Sequence, residues 1–423
     1  MAQGRLTARG RHLESINFRH RISPAEGCSR RGTRFVLEYP MVSASIPPLS
    51  ATASNSVEAP GPPAQRVGLT GLTLEELTEV LVGWGQPKFR AAQIMEWVFR
   101  KRVLDWAHMT NLSAALRQRL AESFSLRSLQ AVRTQGARDT TRKFLFKLAD
   151  GRFIESVVIP ANPALYGETS DRHTLCVSTQ VGCAMECKFC ASGLNGLTRN
   201  LQPAEIVEQI LQAEAITGER MDNLVFMGMG EPLANYRHLM TALTILNAPW
   251  GVGIGARHIT LSTSGLVPQI RRLAEEKLPV RLAVSLHGAT DAVRERIMPV
   301  NRKYPLNTLI PALQAYCAAK RQIITLEYIL IENVNDSLEQ AAHLARIARN
   351  LRAKVNLIPY NTVEGLPWSR PTEPQQDAFA DILRSQSVTT TLRREKGHDI
   401  EAACGQLRLQ QEAEDAATPP VEA

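Results

Sequence analysis

The sequence contains no uninterrupted apolar run near the ~18 residues that a membrane-spanning helix needs, so a helical membrane protein is not expected. It lacks a second C-x-x-C pair to match its one cysteine cluster. That absence tells against the usual four-ligand structural zinc site, although a fourth thiolate from Cys176 or a more distant cysteine would keep zinc open. The seven cysteines are an odd number in a chain of 423 residues, which does not suit a small secreted disulfide framework. Clustered thiols in such a chain point instead to metal binding or catalysis in a reducing compartment. Acidic residues are scarce at the start, where residues 1–40 hold 8 Arg and 3 Glu. Such a leader reads either as a transit peptide or as sequence ahead of a true start at Met41.

Basic residues, by contrast, are plentiful and unevenly placed. The formal net charge is +8, and Gln86–Lys147 alone carries 13 Lys and Arg against 4 Asp and Glu. A basic excess concentrated in a folded segment is the footprint of a polyanionic partner, or else a solvated helix face. Residues 1–66 are rich in Ser, Ala, Pro and Arg and read as disordered, as does the polar tail ending TPPVEA. Structure is expected from Leu72. Thr73-Leu74-Glu75-Glu76 is a capping-box pattern opening a helix to about Val82, and further helices follow in GQPKFRAAQIMEWVF and in Leu112–Ser123. KFLFKLADGRFIESVVIP reads as a β-hairpin turning at Asp150-Gly151. On its second strand Phe153, Glu155, Val157 and Ile159 share a face. A carboxylate among apolar neighbours is either at an exposed sheet edge or paired and useful.

From Leu175 onward, apolar runs at TLCVSTQ, NLVFMGMG, HITLSTSG, VRLAVSLHG, IITLEYILIE and KVNLIPYN alternate with helical stretches. Six βα units imply a parallel sheet covered by helices, too few for a complete eight-stranded barrel. The expected fold is therefore α/β, an open partial (β/α)6 barrel with a small N-terminal helical domain and a β-hairpin extension. Functional residues belong at the C-terminal strand ends.

GCAMECKFC, Gly182–Cys190, spaces Cys183, Cys187 and Cys190 as C-x3-C-x2-C. A [4Fe–4S] cluster usually takes four cysteines, so three leave one iron open to a substrate. This spacing, with Phe189 before the last cysteine and on a loop after the first barrel strand, resembles the radical S-adenosylmethionine (SAM) enzymes. TLCVSTQVGCAMECKFC, MGMGEPL, ITLSTSG, SLH, VNLIPYN and GHDIEAACGQL occur in that order from about Leu72 to Leu407. Together they resemble the RlmN family of dual-specificity ribosomal and transfer RNA adenine methyltransferases.

The resemblance implies a radical SAM fold and methylation of adenosine C2 in 23S rRNA, near the peptidyl transferase centre, and in a tRNA anticodon loop. That carbon has no useful lone pair, which is why ordinary methyl transfer fails there. The implied cofactors are a [4Fe–4S] cluster on Cys183, Cys187 and Cys190, and SAM bound by Gly230, Glu231, Ser262, Ser285, Leu286, His287 and Asn361. Cys404 is implied to take a methyl group from one SAM, and a second SAM to yield the 5′-deoxyadenosyl radical that activates it. Cys176 is implied to release product by forming a disulfide with Cys404, and Glu155 to accept a proton. Cys317 reads as core and Cys28 as incidental. The division expected is a leader over 1–66, a basic helical RNA-binding domain over 67–130, hairpin and connector over 131–170, and the barrel over 171–386. A C-terminal strand with the catalytic-cysteine loop follows over 387–409, then a disordered tail over 410–423. Partners would be 23S rRNA, tRNA and a low-potential electron donor such as flavodoxin or ferredoxin. No membrane is expected, and the setting is a monomer in the cytoplasm. Two alternatives stand: a Cfr-type enzyme methylating adenosine C8, and a non-enzymatic RNA-binding protein with a structural metal. The segment ANPALYGETSDRH before Cys176 is longer than the family pattern and bears on substrate preference.

Overall fold

The computed structural model describes residues 66–136, 141–161, 172–363, 365–393 and 405–417, all within one unit, Pro63–Ala423. The expected leader, with Cys28 and Met41, lies outside the described residues apart from Arg66, as do most of the long segment before Cys176 and Cys404 itself.

The first helix, Leu74–Gly83, starts where the capping box predicts. The Thr73 Oγ1 accepts from the Glu76 N–H and the Glu76 carboxylate accepts from the Thr73 N–H. Phe89–Met95 runs on into a π turn, Glu96–Arg100, and Ala114–Ser123 is capped by the Ser113 hydroxyl. Leu77, Leu81, Ile94, Val98 and Leu120 from these helices are fully buried. The small domain sits tightly on the helix Pro203–Thr217. A Cβ on Gly71 would lie 2.5 Å from the Ala204 nitrogen, so the approach needs a glycine. The buried Glu208 accepts from Thr70 Oγ1 (3.1 Å) and from the N–H groups of Ser128 (2.6 Å) and Leu129 (3.0 Å).

All six predicted parallel strands are present. They pair in chain order from His173–Cys176 through Asn223–Phe226, Ile259–Thr263, Arg281–Ser285 and Thr325–Leu330 to Lys354–Pro359. The expected C-terminal strand, Thr390–Leu392, adds a seventh. The hairpin forms as predicted, with Gly151 at φ 81 in its turn. It is no separate extension, however. Phe153–Pro160 pairs antiparallel with His173–Cys176, and Gln130–Gly136 adds an edge strand, so ten strands form one open sheet. In the shared strand every residue from Phe153 to Val158 is buried, in keeping with its place inside the sheet.

The tail departs from expectation. The end of the expected cysteine loop and the start of the expected disordered tail, 410–423, form one helix, Gln406–Ala417. QLRLQQEAEDAA is rich in good helix formers. Leu407 gives it an anchor, fully buried against Leu145 and Phe153 of the hairpin. No helix among the described residues is long and apolar enough to cross a membrane.

Candidate active site

A cavity of about 380 Å³ opens at the C-terminal ends of the parallel strands. Cys183, Cys187 and Cys190 line it together. Their loop is set by backbone geometry. Gly182 has φ 76, and a Cβ there would lie 2.0 Å from the Gly196 carbonyl oxygen, so only glycine lets the chain cross its partner. Cys183 N–H then donates to that carbonyl (2.9 Å), and Lys188 N–H to the Ile297 carbonyl (2.9 Å). Burial pushes the Cys183 thiol up to about 12, with Cys190 and Glu231 acting in the same direction, and burial likewise raises Cys187 well above the ordinary thiol value. Thiols so placed become thiolates readily only when a cation holds them. Among the described residues no three His, Cys, Asp or Glu side chains close around a single ion. Three thiols lining one cavity suit the wider footprint of an iron–sulfur cluster.

The lining also includes polar groups. Gly230 has φ 100, and a Cβ there would lie 2.5 Å from the Gln180 Cβ. The buried Glu231 is aimed by three bonds: its N–H donates to Gln180 Oε1 (2.8 Å), and its carboxylate accepts from Ser264 N–H (2.7 Å) and Leu233 N–H (3.1 Å). Burial raises its pKa above the usual carboxylate range. Ser262, Ser285 and Asn361 also line the cavity. His287 stands in the left-handed region (φ 54), with its ring edge-on to Phe189 at 4.9 Å. Its Nδ1 accepts from the Ile329 N–H (3.0 Å), which leaves the proton of the neutral ring on Nε2. Burial, helped by Arg294, lowers its pKa to about 3.

Leu286 is the exception among the expected SAM residues. Alternation turns Ser285 and His287 toward the cavity and Leu286 away, so its side chain is fully buried in the main core. Only its backbone serves the site, donating to the Glu327 carbonyl (3.0 Å).

Several supporting residues carried no signal in the sequence. Arg294, fully buried, donates to the carbonyls of Ser264 (2.6 Å) and Leu286 (3.2 Å) and to Asn301 Oδ1 (2.8 Å), tying two strand-end loops together. Asn335 donates to the carbonyls of His287 (2.7 Å) and Ile329. Glu327, buried and on the cavity wall, accepts from Asn356 Nδ2 (2.7 Å). A buried polar residue looks like a surface one until its distant partners are known.

Glu155 is not at an exposed edge. It is buried beside the equally buried Lys143, with Nζ 3.1 Å from Oε2. Its Oε2 accepts from the Gly405 N–H (2.8 Å) and its Oε1 from the Arg408 N–H (2.7 Å). Cys176 lines the cavity, on a strand whose register pairs it with Val157. Cys404, next in the chain to Gly405, lies outside the described residues, and no disulfide joins two described cysteines. Cys317, expected in the core, is only partly buried and packs against its edge.

The basic domain divides its charges. Arg102 is spent internally on Glu214 (2.5 Å), and Arg100 donates to the Pro249 carbonyl (2.6 Å), both on the barrel side. Arg90 donates within its own domain, to Gln93 and the Asn111 carbonyl. Lys88 and Lys101 are exposed. Lys101 lies over the Trp97 ring at 3.6 Å, and Arg119 over Trp84 at 4.4 Å.

Comparison with known proteins agrees with this geometry. A family model described as the radical SAM superfamily matches residues 177–345, and one described as the ribosomal RNA large subunit methyltransferase N-terminal domain matches residues 67–126. A probable dual-specificity RNA methyltransferase RlmN of Akkermansia muciniphila is 56% identical over 346 residues, covering 82% of this chain and 96% of the relative. The dual-specificity RNA methyltransferase RlmN of Geotalea uraniireducens is 45% identical over 344 residues, covering 81% and 97%. Among solved structures, a radical SAM methyltransferase from Sphaerobacter thermophilus superposes with a TM-score of 0.76 at 44% identity, covering 80% of this chain and 98% of that one.

Proposed function

This chain belongs to the RlmN family of radical SAM RNA methyltransferases, and from that premise we propose that it methylates C2 of adenosine in 23S rRNA and tRNA. Membership removes the non-enzymatic reading and brings with it a [4Fe–4S] cluster and SAM. The observation that best supports the proposal is the convergence on one cavity of the three cysteines, Glu231, His287 and Cys176.

When bound, the cluster and SAM supply a 5′-deoxyadenosyl radical. Cys183, Cys187 and Cys190 hold the cluster. Glu231, with both oxygens aimed by backbone N–H groups, receives a cationic amino group. His287, neutral with its proton on Nε2, offers a donor to the ligand without adding charge. Ser262, Ser285 and Asn361 add polar contacts, and Leu286 contributes through its backbone. Cys404 carries the methyl group to the RNA. Cys176, which lines the cavity, releases the product by pairing with Cys404, and Glu155 takes up the proton lost from the base. The enzyme works in the cytoplasm as a monomer, reduced by a carrier of the flavodoxin or ferredoxin type, and contacts RNA through its basic helical domain.

Nucleoside mass spectrometry tests this. RNA from a host without its own adenine C2 methylase, carrying this gene, should contain 2-methyladenosine in both the ribosomal and transfer pools. 8-Methyladenosine would move the chain to C8 chemistry, and neither product from a cluster-loaded protein would overturn the substrate assignment.

A further inference from the structure

We infer that Glu155, together with Lys143, is a positioning device that fixes the chain at Gly405, the residue after Cys404, beside the cysteine loop. The inference deepens the reading of Cys404 as the methyl carrier and rests on it.

Three observations converge. The Glu155 carboxylate accepts from the N–H groups of Gly405 and Arg408, one on each oxygen. Those amides stand three residues apart at the start of Gln406–Ala417, where helix N–H groups lack intrahelical partners. A carboxylate placed there caps the helix and meets the positive end of its dipole. Glu155 is thus a cap supplied from 250 residues away in the chain. Second, Gly405 threads a slot that admits no side chain. It has φ 94, and a Cβ there would lie 2.7 Å from the Ser192 nitrogen and 3.0 Å from the Ala191 carbonyl carbon. Ser192 stands two residues beyond Cys190. The chain therefore enters the slot between the Glu155 strand and the cysteine loop immediately after Cys404. Third, Leu407 is buried against Leu145 and Phe153, so the helix cannot slide along the hairpin without exposing it.

Lys143 completes the device. It is fully buried and reaches Glu155 Oε2 from the neighbouring strand. A buried ion pair is a poor way to gain stability, but it is a good way to fix an aim. An apolar pair could fill the same space, yet neither member could accept from two backbone amides at once. The roles of positioning residue and proton acceptor are compatible in one carboxylate, and they make different predictions.

The test uses the full-length, cluster-reconstituted protein with Lys143→Met, Glu155→Gln and the double variant. SAM-dependent methylation of Cys404 is followed by intact-protein mass without RNA, and hydrogen exchange is followed at residues 405–410. Both single variants should slow Cys404 methylation on the order of 10- to 100-fold while iron content and SAM affinity hold. Both should lose amide protection at Gly405 and Arg408. The double variant, which removes both charges of the pair together, should recover part of each loss. Unchanged protection and methylation in both single variants would overturn the inference. So would a Glu155→Gln protein that methylates Cys404 normally and then accumulates a protein–RNA adduct while Lys143→Met turns over freely; Glu155 would then be a proton acceptor only. Absence of 2-methyladenosine from the wild type would count against the proposed substrate alone, because the exchange measurement needs no RNA.

Discussion

At the scale of single residues, His287 shows how burial sets chemistry. Its pKa falls from an ordinary 6.5 to about 3, chiefly through burial. The folded-state value is depressed, so between those limits the unfolded chain binds a proton that the folded one refuses. The stability this provides is complete above pH 6.5 and is lost as pH falls toward 3, by up to about 1.4 kcal/mol per pH unit. Replacing His287 by Asn should flatten that part of the acid-denaturation curve, measured by thermal melting across pH; an unchanged slope would mean the ring is protonated in the folded protein. The residue itself was legible through the family resemblance of SLH at the end of a predicted strand. Its neutrality was not, since Asn335 and Ile329, which orient it, and Arg294, which helps to lower its pKa, come from other elements. Leu286 marks the reverse case, a position taken from resemblance that strand alternation turns away from the cavity.

At the scale of elements, the parallel strands were legible because short apolar runs alternate with amphipathic helical stretches, and the hairpin because Asp150-Gly151 breaks two such runs. The C-terminal helix was not. Its start is held by Glu155, 250 residues away, and a window of sequence around Gln406 contains no trace of that partner. Gly405 is where this long-range control can be tested. Alanine there must adopt a positive φ and displace Ser192, so Gly405→Ala should destabilise the docked helix by about 1–3 kcal/mol. Limited proteolysis should then cut within Gln406–Ala417 while iron content and the melting of the barrel hold. Equal protease resistance would mean that the slot yields more easily than its distances imply.

At the scale of the whole molecule, the basic domain is both a surface and a docked body. Its net charge was legible from composition, but the division of labour among its arginines was not, because Arg100 and Arg102 look no different from Lys88 and Lys101 until the barrel is in place. Reversing Lys88, Lys101 and Arg119 to Glu should weaken RNA binding and flatten its salt dependence by roughly 0.7 in log–log slope for each lost phosphate contact. Arg102→Glu should act instead on stability, by repelling Glu214. Filter binding across salt concentrations and thermal melting would separate the two, and a triple variant with an unchanged slope would place the RNA elsewhere. The bond from Glu155 to Gly405 also has a consequence in time. A ribosome releases the chain from its N-terminus, so the hairpin and the cysteine loop emerge long before the helix that Glu155 caps. Throughout that interval Gly405 is not yet in place beside Ser192; it arrives with Gln406–Ala417, the last helix among the described residues. Order of synthesis thus becomes order of assembly: the cysteine loop of the nascent protein is made well before the helix that packs beside it.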